Sequence, residues 1–262
     1  MTRLVHARDR RPDDGEGPPL PTERLWCGDA LAGLPLACDL LLVDAPYGDR
    51  THAGHDANLG GHRGGYRGRP SKEESYPRRA LSYATWTPDD VRRAVAAWAP
   101  LVRGWFVSLT DHVLAPVWEA ALAATGRYVF APVACVSPGS RVRLAGDGPS
   151  QWAVQLVAAR PRHAPYSRWG TLPGAYVYAS EPMPIVGGKP LSLMRALVAD
   201  YSRAGDMVCD PCCGAGSTLA AARDLGRRWC GVEIDEGTAR LALDRVVGAG
   251  ARDAELPLFA AR

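Results

Sequence analysis

The chain has 262 residues, 47% hydrophobic and 23% charged, values ordinary for a globular protein long enough to bury a full core without disulfide or metal staples. No apolar run approaches the roughly 18 residues of a membrane span, and Met1–Leu20, rich in charge, Pro and Gly, lacks the apolar centre of a secretory signal. Membrane, secreted and collagen-like readings therefore fall away. Basic residues outnumber acidic ones by 31 to 28, and Lys occurs only at 72 and 189, so Arg supplies almost all the positive charge. Arg forks suit phosphates and base edges, although an Ala/Arg/Gly-rich coding bias gives the same texture. Cys27, Cys38, Cys135, Cys209, Cys212, Cys213 and Cys230 form an odd, scattered set, which fits a reducing cytoplasm better than a disulfide framework.

Residues 1–20 read as a disordered leader. Asp39–Asp44 is a short apolar run ending in a polar turn, the pattern of a buried parallel strand. From about 49 to 83 the sequence turns basic and Gly-rich, with His52, His55 and His62 scattered through it, and reads as a long functional or disordered loop. Thr87-Pro-Asp-Asp90 has the cap, the Pro and the acids of a helix start, for a helix reaching about Trp98. A strand at Gly104–Leu109 and a helix at Ala115–Ala124 follow. The β-rich runs Arg127–Val136 and Gln151–Ala159 flank a turn-prone stretch, Pro138–Ser150, and an irregular region then extends to Gly188. The end is regular: helix from about Pro190 to Ser202, strand Met207–Cys209, Gly-rich turn, helix Ser217–Leu225, strand Trp229–Glu233 and helix Glu236–Val247. Alternation of strands and helices predicts a mainly parallel α/β sheet, in a single domain over about 21–250 with a short tail at 251–262.

Two constellations carry chemistry. Asp210-Pro-Cys-Cys-Gly-Ala-Gly-Ser-Thr218 follows a strand and opens a helix. Gly214 and Gly216 permit a tight turn and close approach of a ligand to the helix N-terminus. About 20 residues on, Glu233 ends the next strand, where an acid can accept hydrogen bonds from both ribose hydroxyls. The turn alone also fits an ordinary strand–helix connection; turn, helix, strand and acid in this order describe a nucleoside-cofactor site. No Lys-Ser/Thr pair of a P-loop is present, which disfavours a nucleoside triphosphate. The second constellation is Asp44-Ala-Pro-Tyr-Gly48 at the end of an apolar strand. Asp44 and the Ala45 carbonyl, aimed by Pro46, are two acceptors for an exocyclic amino group, and Tyr47 offers a face for an unstacked base. The bland alternative is a strand-ending turn.

These residues resemble a family. Asp-Ala-Pro-Tyr is similar to the Asp-Pro-Pro-Tyr motif of amino-group DNA methyltransferases, and Asp210–Thr218 to their S-adenosylmethionine loop. Catalytic motif first, a variable middle, then Gly188-Lys-Pro190 and the cofactor loop is the order of their circularly permuted β-group. Trp26-Cys-Gly-Asp-Ala-Leu31 matches the stretch that precedes their catalytic strand. The resemblance covers roughly 24–48 and 185–245 and implies a Rossmann-like α/β methyltransferase fold. It assigns Asp44, Ala45, Pro46 and Tyr47 to the target base. It assigns Asp210, Cys212, Gly214, Gly216, Ser217 and Thr218 to the methionine and ribose part of S-adenosylmethionine, Glu233 to the ribose, Asp29 and Ala30 to the adenine side, and Lys189 to the methionine end. Ala45 replaces a Pro and Cys212 replaces the usual Phe, the latter removing an aromatic wall. The Asp-initiated motif favours adenine N6, with cytosine N4 or an RNA or protein amide as the alternatives.

The implied substrate is DNA, which some other part must grip once a base leaves the duplex. The candidates are the loop carrying Arg63, Arg67, Arg69, Arg78 and Arg79, and a target-recognition segment at about 127–185 carrying Arg141, Arg143, Arg160, Arg162 and Arg168, with Tyr66 and Trp152 available for stacking. No metal site is expected: the one Cys-x-x-C has no companion pair. Localisation is read as cytoplasmic, in a bacterial or phage-infected cell. A homodimer and a cognate restriction nuclease are compatible with this reading. A non-catalytic nucleic-acid-binding relative and a nicotinamide-dependent oxidoreductase are the rivals from other classes.

Overall fold

In the computed structural model, residues 24–34, 36–51, 84–138, 153–163, 169–185, 187–248 and the backbone of 258–259 are described. The strands are β1 (Arg24–Gly28), β2 (Cys38–Asp44), β3 (Val102–Thr110), β4 (Tyr128–Val129), β5 (Val133–Val136), β6 (Val154–Arg160), β7 (Ala175–Val177), β8 (Met207–Asp210), β9 (Arg228–Glu233) and β10 (Leu258–Phe259). The helices are α1 (Pro88–Trp98), α2 (Ala115–Ala124), α3 (Leu191–Tyr201), α4 (Ser217–Asp224) and α5 (Glu236–Val247). One sheet runs β10-β1-β9-β8-β2-β3-β6-β5-β7, with β4 paired to β6 off that path. Every pairing from β10 to β3 is parallel, whereas β6 lies antiparallel to β3, β4 and β5. This is a Rossmann-like α/β fold.

The sequence explains the burial. Leu40, Leu41, Leu42 and Val43 of β2 are all fully buried because helices cover both faces of the sheet. Leu40 and Leu42 pack with Val107, Leu193, Leu197 and Leu219 on the side of α3, α4 and α5. Leu41 and Val43 pack with Phe106, Trp98 and Trp118 on the side of α1 and α2. At the base of the sheet Asp39 ties three strands together, accepting from the Met207 amide at 2.9 Å and from Arg103 Nε at 3.2 Å. Helix α1 begins as its sequence indicates, with Pro88 in the first turn and a reciprocal capping box between Thr87 and Asp90.

Three strands fall outside the expected pattern. The β1 run Arg-Leu-Trp-Cys-Gly alternates in burial and pairs parallel with β9. The β7 run Ala-Tyr-Val is a three-residue piece inside the stretch expected to be irregular, and its pairing with β5 defines it. Leu258–Phe259, in the stretch read as a tail, pair parallel with β1.

The topology locates the site. From β2 the chain goes to β3 on one side, and α3 later returns it to β8 on the other, so the strand order reverses between β2 and β8. Crevices at such reversals, outside the C-terminal strand ends, are where open α/β sheets place ligands.

A candidate active site at the strand reversal

Four adjacent parallel strands each deliver a carboxylate to the same edge of the sheet. Asp29 follows β1, Glu233 ends β9, Asp210 ends β8 and Asp44 ends β2. The registers Cys27↔Glu233, Asp210↔Gly231 and Leu41↔Cys209 keep these ends level to within a few residues. The Cys212 thiol lies among them. Burial pushes its pKa well up, and the charges of Asp210, Glu233, Asp44 and Asp29 push it further. Both constellations therefore stand at the same end of neighbouring strands.

On the cofactor side, Gly214 adopts a left-handed conformation (φ 52°) and its amide donates to Glu233 Oε2 at 2.9 Å. The other oxygen of Glu233 accepts from the Asp235 amide at 3.0 Å. Burial raises the Glu233 carboxyl above the usual carboxylate range. Gly216 is left-handed as well (φ 77°), and a Cβ there would lie 3.1 Å from Ala242 Cβ, so this glycine serves the close packing of α5 on the loop. Asp210 is fully enclosed and burial drives it up to about 7, against the opposing hydrogen bonds from Thr218 Oγ1 at 2.5 Å and the Cys212 amide at 3.0 Å. The Ser217 hydroxyl accepts from Arg245 at 2.9 Å, so it ties α4 to α5. Asp29 caps the short turn after β1 through the Leu31 amide at 2.9 Å, and the buried Trp98 donates to the Ala30 carbonyl at 2.8 Å. Ile234 beside Glu233 is 69% exposed, an apolar surface left open at the rim.

On the motif side, Tyr47 donates to Asp44 Oδ1 at 3.1 Å and Lys189 Nζ to Asp44 Oδ2 at 2.6 Å. The ammonium also stands 5.0 Å from the centroid of the Tyr47 ring. Lys189 thus meets the catalytic-motif carboxylate. Ala45 is buried, and Pro46 follows it into the turn.

Sequence reasoning missed Asp111, just past β3 and completely buried. Its Oδ2 accepts from the Gly48 amide at 3.0 Å and from the Thr51 hydroxyl at 2.5 Å; its Oδ1 accepts from the Val113 and Leu114 amides at 3.0 and 2.9 Å. The carboxylate pins the chain one residue beyond Tyr47. Its bonds to Val113 and Leu114 are those of a local turn, but its hold on Gly48 spans 63 positions and has no local signal. Glu181 was also missed. It caps α3 from outside, accepting from the Leu191 and Ser192 amides at 2.9 and 3.2 Å. Burial raises the Tyr178 phenol and the Cys135 thiol, and the charge of Asp44 raises each further.

Arg160 and Arg162 stand away from the Asp44 end of the sheet. Because β6 is antiparallel, its C-terminal end lies at the opposite end of the sheet from Asp44, and both guanidiniums stack on Tyr128, Arg160 also on Phe130. Arg63, Arg67, Arg69, Arg141 and Arg143 lie outside the described residues, as do Arg78, Arg79, Arg168, Tyr66, Trp152 and the three loop histidines. Among the described residues there is no cluster of His, Cys, Asp and Glu able to hold a metal ion, and no helix is long and apolar enough to cross a membrane.

Comparison with known proteins adds to this geometry. Residues 181–244 match the model of the DNA methylase family, N6_N4_Mtase. The matched segment contains Lys189, the Gly214 loop and Glu233. Among curated proteins, the type II methyltransferase M.EcaI of Enterobacter cloacae is 40% identical over 57 residues, which is 22% of this chain and 13% of that protein. M.HindIII of Haemophilus influenzae is 38% identical over 61 residues, 23% of this chain and 20% of that protein. The matched stretches thus span a fifth or less of those relatives' own length. The fold is shared more widely. The M1.HpyAVI complex with SAM superposes with a TM-score of 0.58 at 16% identity, over 85% of this chain and 98% of that one. The cytosine-N4-specific PvuII DNA methyltransferase gives 0.57 at 11% identity, over 88% of each chain. TTHA0409 of Thermus thermophilus, complexed with S-adenosyl-L-methionine, gives 0.54 at 22% identity, over 90% and 96%.

Proposed function

We propose that the protein transfers a methyl group from S-adenosylmethionine to an exocyclic amino nitrogen of a base in DNA, with adenine N6 favoured over cytosine N4. The observation that carries this reading is the meeting, at one strand reversal, of the Asp44–Tyr47 turn with the Gly214–Glu233 cradle. The family of residues 181–244 supports it, as do the type II methyltransferase relatives.

The residues present fit the cofactor. Gly214 has no side chain in the left-handed turn, Glu233 is a half-enclosed acceptor pair beside the exposed Ile234, and Asp210, Glu233 and Asp29 make the cleft negative. Such a field suits a cation. When bound, S-adenosylmethionine supplies a sulfonium whose methyl is electrophilic. Glu233 would hold the ribose hydroxyls, Asp29 and Ala30 would stand on the adenine side, and Asp210, Cys212, Gly214, Gly216, Ser217 and Thr218 would shape the ribose and methionine part.

An aromatic amino nitrogen is a poor nucleophile because its lone pair is delocalised into the ring. Asp44 and the Ala45 carbonyl accept its two hydrogens. Holding them out of the ring plane favours the pyramidal form, an interaction stronger in the transition state than in the ground state. Tyr47 stacks on the base. The C–N bond forms as the C–S bond to the sulfonium breaks, which gives the nitrogen positive charge and makes it acidic, so its proton then passes to water and no covalent enzyme intermediate is needed.

In this reading the loop at 49–83 and the segment at 127–185 grip the DNA, including Arg63, Arg67, Arg69, Arg141 and Arg143. The cytoplasm is the compartment, consistent with free thiols at all seven cysteines. The test is mass spectrometry of nucleosides from unmethylated genomic DNA incubated with the protein and S-adenosylmethionine. N6-methyladenine is the expected product; N4-methylcytosine would keep the mechanism and change the base, and RNA or protein labelling without DNA labelling would refute the substrate.

A further inference from the structure

We infer that Lys189 positions the Asp44 carboxylate for the target amino group and does not serve the methionine end of the cofactor. The inference rests on the amino-methyltransferase reading. Its basis is the unequal treatment of the two Asp44 oxygens. Oδ2 receives a charge-assisted bond of 2.6 Å from an ammonium whose side chain is only 11% exposed, against 18% for Asp44. Oδ1 receives a neutral phenol at 3.1 Å. The ammonium has further partners in the Gly187 carbonyl at 3.3 Å and the Tyr47 ring face at 5.0 Å, so it is well satisfied where it stands.

The residues on either side of Lys189 are held as well. A Cβ at Gly188 would come within 2.9 Å of Met183 Cε and push that flexible side chain aside. Pro190 after it is the N-cap of α3, whose first amides are held by Glu181. A rigid donor on Oδ2 and an exchangeable one on Oδ1 make Oδ1 the oxygen that takes the amino hydrogen. In the absence of a base, the Tyr47 hydroxyl occupies that place. Charge follows the same division. Lys189 and Asp44 together are neutral, which suits an uncharged amino group, while Asp29, Glu233 and Asp210 are left to attract the cationic donor.

The experiment compares wild type, Lys189→Met and Lys189→Arg in two assays: calorimetric binding of S-adenosylmethionine, and methyl transfer to DNA at saturating S-adenosylmethionine. For Lys189→Met, affinity should stay within about twofold while kcat drops about 100-fold, the scale of misplacing a reacting group by about 1 Å. Lys189→Arg should recover part of that loss. Weakened S-adenosylmethionine binding with unchanged kcat would overturn the inference in favour of the methionine end, and wild-type values in both assays would also overturn it. A wild-type protein that binds S-adenosylmethionine yet labels no DNA would instead refute the amino-methyltransferase reading, and this assignment with it.

Discussion

Replacing Asp111 by Asn probes how the turn after Asp44 is held. The carboxylate is fully buried, and its only hydrogen-bond partners among the described residues are donors: Gly48 N and Thr51 Oγ1 on one oxygen, Val113 N and Leu114 N on the other. An amide can keep one oxygen toward the Val113 and Leu114 amides, but its NH2 then faces the Gly48 amide. The Thr51 hydroxyl can rotate to accept; the Gly48 amide cannot, and stranding it costs about 1–3 kcal/mol. The surviving bonds also lose their charge assistance. A destabilisation of about 3 kcal/mol follows, read as a shift in the midpoint of a urea curve at unchanged slope. Because Gly48 directly follows Tyr47, kcat for methyl transfer should fall in the same variant with little change in S-adenosylmethionine affinity. A midpoint shift worth less than about 0.5 kcal/mol, the usual range of a surface substitution, would refute the claim that Asp111 anchors this turn.

Other expectations follow from the same geometry. Asp44→Ala should abolish transfer while S-adenosylmethionine still binds by calorimetry; unchanged turnover would sink the base-orienting role. Glu233→Ala removes the acceptor on the Gly214 amide and should weaken S-adenosylmethionine binding by about tenfold, the loss of one charged hydrogen-bond partner, with unchanged affinity as the contrary result. Asp210 sits near 7, raised above its unfolded value, so the folded protein holds an extra proton between about pH 4 and pH 7 and loses stability as pH rises through that window. A cation bound nearby favours the ionised form. S-adenosylmethionine binding should therefore release protons near pH 7 and weaken as pH falls, which calorimetry in buffers of different ionisation enthalpy would detect; Asp210→Asn should remove the effect. Thr87→Ala should cost about 1 kcal/mol in thermal or urea unfolding through loss of the capping box of α1.

What the sequence revealed was the local part of this structure. The run Glu236–Val247 could be bounded to the residue, and the start of α1 carried its own capping signals. Asp44, Asp210 and Glu233 were visible singly because each ends an apolar strand, and Asp29 only through the resemblance, but their arrangement in a row depends on strand order, and no local pattern encodes that. β7 escaped notice because three residues after a Pro-Gly pair carry no period, and only the pairing with β5 makes them a strand. The contacts that position Asp44 and the following turn span 145 positions in the case of Lys189, and 60 and 63 in the case of Asp111. The position of Arg160 and Arg162 was hidden for a related reason: composition shows a basic segment, while the reversed direction of β6 decides which end of the sheet receives it.

If one site holds both the methyl donor and the amino group that receives the methyl, isotope-labelled methyl groups should move from S-adenosylmethionine into unmethylated DNA with wild type and not with Asp44→Ala. At equal S-adenosylmethionine occupancy, the label should lie on the amino nitrogen of adenine with wild type and be missing with the variant. Equal labelling by both proteins, or label at a ring carbon, would contradict this arrangement.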